Sequence, residues 1–301
     1  MIVGALDIGS NSVHLLIAEY IDGHINSIKR YKEKVMLGAG LDVQQNLTEA
    51  AMERCLSSLS NFVHHLNYYH VEKLYCVATN AVRLANNRQL FIRKAEQILM
   101  HPIHVISGDT EAKMIWRGVL AERADRATGM IVDIGGGSTE FARATTSESQ
   151  PLTWSLQMGC VSYLEQFFSD RKINQHNIAS AMAAAETCLN PFLDELLPLP
   201  DAPIIGTAGT LESISVFSQE LFAADRGLIK LSQLKRLLED LKAHGSIEAL
   251  PYESLDDGRK QILPAGLCIC YVIMERLDIA TIEFAESELC EGVLVQQLLY
   301  N

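Results

Sequence analysis

The stretch Met130-Ile-Val-Asp-Ile-Gly-Gly-Gly-Ser-Thr-Glu-Phe141 decides how this chain is read. Met130–Asp133 has the make-up of a buried strand. Ile134 and the glycines Gly135, Gly136 and Gly137 come next, then Ser138, Thr139 and Glu140. Glycines let backbone N–H groups come close to an anion and allow positive φ. Ser138 and Thr139 add hydroxyl donors. Asp133 and Glu140 bracket the loop with carboxylates, which repel a bare phosphate. The pattern makes chemical sense when a divalent cation lies between carboxylate and phosphate, or when one carboxylate activates water.

The chain opens on the same device. Met1-Ile-Val-Gly-Ala-Leu-Asp-Ile-Gly-Ser-Asn-Ser12 is an apolar strand, then Asp7, Ile8 and Gly9, then Ser10, Asn11 and Ser12. Asp7 and Asp133 stand 126 positions apart, and each opens an Asp-Ile-Gly loop. One such loop is a weak signal; two, each ending the first strand of its own half, are a repeat. A dinucleotide loop opens a helix, and a Walker loop needs Gly-Lys-Ser/Thr, which is absent. Here Val13–Tyr20 and Thr139–Thr145 follow, rich in β-branched residues or alternating, and read as strands. Two β-hairpin phosphate loops resemble the layout of the actin-like, sugar kinase and Hsp70 superfamily. The fold class expected is therefore α/β, with two ribonuclease-H-like domains, residues 1–124 and 125–301, and a cleft between them.

Composition agrees. The chain has 301 residues, 48% hydrophobic and 21% charged, ordinary for a globular protein with two domains. No apolar run is long enough to span a membrane and no leader pattern precedes the first strand, so the expected location is the cytoplasm. The seven cysteines are scattered through apolar segments and read as reduced core residues. A net charge of −12 argues against DNA or RNA as partner and opposes any polyanion, so local cations or bound metal must offset the field. Arg30, Lys32, Lys34, Arg83, Arg88, Arg93 and Lys94 are the candidates for a basic funnel.

In chain order, residues 1–35 form three strands, with a turn at Asp22-Gly23. Glu49–Leu66 is helical behind a Thr48 cap. Lys73–Ala78 is a strand that delivers Thr79, Asn80 and Arg83 at its end, a frequent site position in α/β sheets. Arg83 is as readily a surface ion pair. Pro102–Ile106 is a strand, and Ser107 or Asp109 caps the helix that follows. Glu111 there either favours the helix dipole or faces the same cleft as the loops. Arg123–Gly129 is a polar link. Leu152–Leu156 is a strand, Asn174–Leu193 a long helix, and Ser254–Arg259 a polar loop before a helix over Gln261–Leu277. Gly206, Thr207 and Thr210 lie where a strand runs into a helix; a tight turn explains them, and phosphate or nucleoside contact is the functional alternative. Thr281–Phe284 and Glu288–Leu299 close the chain.

These blocks together resemble the exopolyphosphatase and guanosine pentaphosphate phosphohydrolase (Ppx/GppA) family. Asp7–Ser12 and Asp133–Glu140 are similar to its two phosphate loops, and Ala78–Arg83, Ile106–Ala112, Leu156–Val161 and Gly206–Thr210 to further blocks, in order. The resemblance implies release of orthophosphate from polyphosphate, or from pppGpp to give ppGpp, with Mg²⁺ or Mn²⁺. It implies Glu111 as the base, Arg83 on the terminal phosphate, and Asp133, Asp7 and Glu140 serving metal or water. It implies the backbone at Gly9, Ser10, Asn11 and Ser12, and at Gly135, Gly136, Gly137 and Ser138, as the phosphate cradle, with Gly206, Thr207 and Thr210 as further contacts. Partners implied are polyphosphate or guanosine tetra- and pentaphosphates, and a homodimer is open. The Leu156–Val161 block and Asp170-Arg171 lean toward the pentaphosphate branch.

The chain departs from the family pattern in three places. Thr110 stands where the family has the first of two adjacent glutamates. Ser287-Glu-Leu-Cys-Glu-Gly292 stands where it has Gly-Ala-Leu-Arg-Glu-Gly, losing an arginine at Cys290. The chain is read as a short form without the family's HD-type domain, which favours short polyphosphates or a nucleotide. Competing readings are a sensor that binds ppGpp or polyphosphate without turnover, and an ATP-dependent phosphotransferase of the sugar kinase type.

Overall fold

The computed structural model describes residues 1–123, 128–145, 150–222, 225 and 227–300. The chain divides into two units: Met1–Ala124 with Ser287–Asn301, and Asp125–Glu286.

The first unit is built on strands β1 (Ile2–Ile8), β2 (Ser12–Ile21), β3 (His24–Lys34), β4 (Lys73–Ala78) and β5 (Ile103–Val105). Their order across the sheet is β3-β2-β1-β4-β5. The first three are antiparallel, while β4 and β5 run parallel to β1, which is the ribonuclease-H-like order. Helices α1 (Glu49–Tyr68), α2 (Asn80–Leu84), α3 (Arg88–Leu99) and α4 (Gly108–Glu122) connect them. Thr48 caps α1 through Ala51 N, 3.4 Å from its Oγ1. The buried face of α1 carries Ala51, Cys55, Leu59, Phe62 and Leu66, spaced three or four apart. It packs on Leu6, Ile8, Leu15 and Ile17 of the sheet. Each such apolar side chain contributes roughly 1.5–3 kcal/mol on burial.

The second unit repeats the plan with β6 (Gly129–Ile134), β7 (Thr139–Ala144), β8 (Leu152–Leu156), β9 (Ile204–Thr207), β10 (Leu228–Lys230) and β11 (Thr281–Phe284). Their order is β8-β7-β6-β9-β11-β10, the same arrangement with an added antiparallel edge strand, β10, that the sequence reading missed. Its helices are α5 (Cys160–Phe167), α6 (Gln175–Leu189), α7 (Leu193–Leu196), α8 (Ala208–Phe222), α9 (Leu231–His244) and α10 (Asp257–Arg276). The helix expected over Asn174–Leu193 ends at Leu189 in a 3-10 turn, Asn190–Phe192, because Pro191 has no N–H to continue it. The loop expected over Ser254–Arg259 is partly helix: Asp256 accepts from Arg259 N at 2.9 Å and starts α10 at Asp257. Every residue of α10 from Ile262 to Met274 is buried, so it is apolar all round and central to the unit. Part of the Arg123–Gly129 link lies outside the described residues.

The last helix, α11 (Leu289–Leu299), corrects the domain boundary expected from sequence. Residues 287–301 belong to the first unit, not to 125–301. The reason is a crossing with α4 that requires glycine. A Cβ on Gly292 would stand 1.8 Å from Met114 O, and one on Gly118 would stand 2.8 Å from Gly292 N. Ser287 N also donates to Glu122 Oε2 at 3.1 Å.

Candidate active site

Both glycine loops close in the same way. Gly9 N donates to Ser12 O at 3.1 Å, and Gly135 N to Ser138 O at 3.0 Å. Each joins two antiparallel strands, so both are hairpin turns as expected. In the first loop Ser10 and Ser12 are buried. Ser10 Oγ accepts from Ala81 N at 3.1 Å, which ties the loop to the start of α2. Asn11 Oδ1 is buried with no partner among the described residues.

In the register, Ile8, Ala78 and Val105 lie side by side at the ends of β1, β4 and β5. The loop at Gly9–Ser12, the segment Thr79–Arg83 and the start of α4 therefore share one edge of the first sheet, where α/β folds place ligands. Ser107 caps α4, accepting from Thr110 N at 3.2 Å. Thr110 Oγ1 is 2.9 Å from Ser107 Oγ, so the residue that departs from the family pattern completes the cap.

Glu111, one turn into α4, is 8% exposed. Arg83 Nη1 reaches its Oε2 at 3.2 Å and also donates to Ile106 O at 2.9 Å. Arg83 is thus held on one nitrogen, while its Nη2 is buried and without a partner among the described residues. A buried guanidinium nitrogen left open is suited to an anion oxygen.

Asp7 faces His14 across β1 and β2, and His14 faces Lys32. His14 Nδ1 lies 2.6 Å from Glu288 Oε2. Burial works against charge on His14, but the Glu288 carboxylate, with help from Asp7, outweighs it and raises the imidazole above its ordinary value. Burial likewise opposes the Glu288 charge, and the His14 and Lys32 charges override it, holding Glu288 at about 2. Arg30 pairs with Glu291 at 2.8 Å. Cys290 is buried and its Sγ lies 3.9 Å from His14 O. Three residues of the departing segment therefore face β2 and β3 of their own unit.

In the second unit Asp133 and Glu140 are direct cross-strand partners. They are 7% and 2% exposed. Opposed residues have Cβ atoms about 5 Å apart. Two ionised carboxylates placed this way repel each other. Thr207 Oγ1 donates to Asp133 Oδ2 at 2.6 Å, and Ser155 Oγ to Glu140 Oε1 at 2.7 Å. Ser155 was missed by the sequence reading.

The loop between the two carboxylates is braced from behind. Cys160 N donates to Gly135 O, and Val161 N and Ser162 N to Gly136 O, at 2.8–3.1 Å. The N-terminus of α5 thus holds loop carbonyls, and a Cβ on Gly159 would meet Gly136 O at 2.4 Å. The amides of Gly136, Gly137 and Ser138 have no backbone partner among the described residues.

The third candidate loop is a tight strand-to-helix turn. Gly206 is packed under Ile282 and Leu211, each 2.6 Å from where its Cβ would be, and its carbonyl accepts from Ala285 N at 2.9 Å. Thr210 is buried with its methyl against Gly266. The turn reading fits Gly206 and Thr210, and Thr207 serves Asp133. Ala208 takes φ +69 at this turn, a strained value for alanine.

Among the described residues no three His, Cys, Asp or Glu side chains converge as a metal site. Asp133 and Glu140 form a pair, which suits Mg²⁺: it takes one or two carboxylates and fills its shell with water and phosphate oxygens. Asp7 belongs to the first unit. The cysteines are core: burial pushes Cys55, Cys76, Cys268 and Cys270 up to about 12. No described helix is long and apolar enough to cross a membrane.

Comparison with known proteins agrees with this architecture. The model of the Ppx/GppA phosphatase family matches residues 16–301. A guanosine-5'-triphosphate,3'-diphosphate pyrophosphatase of Aliivibrio fischeri (strain MJ11) is 38% identical over 291 residues, 96% of this chain and 58% of the relative. One of Vibrio cholerae (O395) is 38% identical over 296 residues, 98% of this chain and 59% of the relative. The chain thus spans a little under three fifths of the curated relatives it matches. An exopolyphosphatase from Cytophaga hutchinsonii has a TM-score of 0.88 at 23% identity, covering 99% of this chain and 98% of the other. The Ppx/GppA family member of Aquifex aeolicus has a TM-score of 0.79 at 24% identity, covering 100% and 98%. On the family match and the relatives' identity, the chain belongs to the Ppx/GppA phosphatase family.

Proposed function

We propose that the chain hydrolyses a terminal phosphoanhydride, taking pppGpp to ppGpp and orthophosphate, and shortening polyphosphate by the same chemistry. The Arg83–Glu111 pair carries this reading. Arg83 has one nitrogen anchored by Ile106 O and Glu111, and a second, buried, left open for a phosphate oxygen. Glu111 beside it accepts the proton of the attacking water. The new bond joins water oxygen to the terminal phosphorus, and the bond to the bridging oxygen breaks. The leaving group departs as a phosphate anion, so positioning and charge neutralisation supply most of the acceleration. The loop at Gly9–Ser12 in the first unit and the amides of Gly136–Ser138 in the second are each suited to phosphate oxygens. Asp133 and Glu140 would hold Mg²⁺ or Mn²⁺, which when bound would screen the phosphate charge. The names of the relatives at 38% identity favour the nucleotide as substrate.

The test is orthophosphate release with Mg²⁺ from pppGpp, short polyphosphate, long polyphosphate and ATP, for the wild type and Glu111→Ala. Release from pppGpp or polyphosphate, with the variant down at least ~100-fold, is expected for loss of a general base. Tight binding of any of these with no release would replace the hydrolase reading with the sensor.

A further inference from the structure

Four residues form one row across the second sheet. Thr207, Asp133, Glu140 and Ser155 are consecutive neighbours in the register of β9, β6, β7 and β8. The two carboxylates occupy the middle and the two hydroxyls the ends. Each hydroxyl takes one oxygen of its neighbour: Thr207 takes Oδ2 of Asp133 at 2.6 Å, and Ser155 takes Oε1 of Glu140 at 2.7 Å. The remaining oxygens, Asp133 Oδ1 and Glu140 Oε2, both lie 3.9 Å from the point where a Gly135 Cβ would stand. The unhydroxylated oxygens therefore converge on the same end of the row, at the glycine loop.

We propose that Thr207 and Ser155 are positioning residues: each fixes the rotation of one carboxylate so that Asp133 Oδ1 and Glu140 Oε2 together face the loop and receive a divalent cation. The inference rests on the hydrolase reading for its purpose but not for its geometry. Hydroxyls can donate to a carboxylate without adding charge, so they orient the pair without cancelling its charge. The first unit supplies an internal control. The register position matching Thr207 there is Val77, which has no donor, and the carboxylate beside it, Asp7, faces His14 rather than a second carboxylate. The clamp exists where two carboxylates must be aimed together.

The experiment is a Mn²⁺ titration of the full chain, reading free Mn²⁺ by electron paramagnetic resonance, for the wild type, Ser155→Ala, Thr207→Val and Thr207→Ser. Loss of an outer hydrogen bond costs metal affinity about 10–100-fold, so Ser155→Ala and Thr207→Val are each expected to weaken Mn²⁺ by about 10-fold, while Thr207→Ser keeps its hydroxyl and stays within about 3-fold. In phosphate release from pppGpp, the half-saturating Mg²⁺ rises by about the same factor while the rate at saturating Mg²⁺ holds within about 3-fold. Circular dichroism melts establish folding. Should the fully buried Thr207→Val fail to fold, Ser155→Ala, partly exposed on the edge strand β8, carries the test alone. Wild-type Mn²⁺ affinity in folded Ser155→Ala overturns the clamp, as does a wild type that binds no Mn²⁺. Weakened Mn²⁺ binding in the variants, with no phosphate released by any form, supports the clamp and overturns the hydrolase reading instead.

Discussion

In the first unit, the row that crosses the sheet just before the glycine loop runs Lys32, His14, Asp7, Val77. In the second, the matching row runs Ser155, Glu140, Asp133, Thr207. The backbones are alike, down to the hydrogen bond that closes each turn. The charges are not. In the first row Asp7 stands beside a His14 whose charge Glu288 stabilises, with Lys32 next in the row. In the second, two carboxylates meet and their flanking hydroxyls carry no charge. Repetition of a fold has fixed where a loop stands, while the side chains beside it decide which charges stand next to that loop.

The sharpest way to break this contrast is Glu140→Gln. It removes half of the carboxylate pair, and phosphate release with Mg²⁺ is expected to fall at least ~100-fold, as for other lost electrostatic stabilisers. A fall below tenfold would show that the pair does not hold the metal. Next is Gly292→Ala, which touches neither row. With its Cβ driven toward Met114 O, it is expected to destabilise the first unit by about 3 kcal/mol, read as an early phase in urea unfolding. A smaller effect separates the rows directly. In EDTA, Glu140→Gln is expected to raise stability by about 1 kcal/mol by relieving repulsion, while Asp7→Asn lowers it. Both variants moving in the same direction would mean the two rows are electrostatically equivalent.

The smallest effect is the pH dependence of the His14–Glu288 pair. Glu288 is held low, so its contribution is present above the ordinary carboxylate range and is lost as pH falls toward about 2. His14 is raised, so its contribution is complete below its ordinary value of 6.5 and fades as pH climbs through the raised one. The gap between wild type and Glu288→Gln in urea melts should be widest near pH 5 to 6 and shrink by pH 9. Because both side chains are about a fifth to a quarter exposed, its size is expected near 0.5–1 kcal/mol. A gap constant across that range would mean the pair is not charged as described.

Much of this was legible before the fold was known. The Asp-Ile-Gly repeat and the β-branched residues after each loop located both hairpins. The Thr48 cap and the β4 strand needed nothing beyond local chemistry, and of the two cap candidates before α4, Ser107 is the one used. Arg83 and Glu111 were named separately, and the structure joins them because β4 and β5 end side by side. Ser155 was not legible: a serine between Trp154 and Leu156 carries no motif, and its role comes from the β7–β8 register, which no local pattern fixes. Thr207 was noticed in its turn, but its bond to Asp133, 74 residues away, was not. The helix expected from Gln261 starts earlier, at Asp257, because Asp256 caps it. The place of α11 was hidden because its apolar residues fit either sheet; Gly118 and Gly292 specify their mutual contact only in three dimensions.

The discontinuity of the first unit bears on how the protein is made. Its strands and α1–α4 are synthesised first, but α11, which covers the Gly118 face of α4, follows only after the 162 residues of Asp125–Glu286. At ~5–20 residues per second, that interval is roughly 8–32 s. Through it, the nascent first unit holds its glycine loop and the Arg83–Glu111 segments yet leaves an apolar helix face bare. The second unit is contiguous and can close while the first still waits, so the half made first is the half finished last.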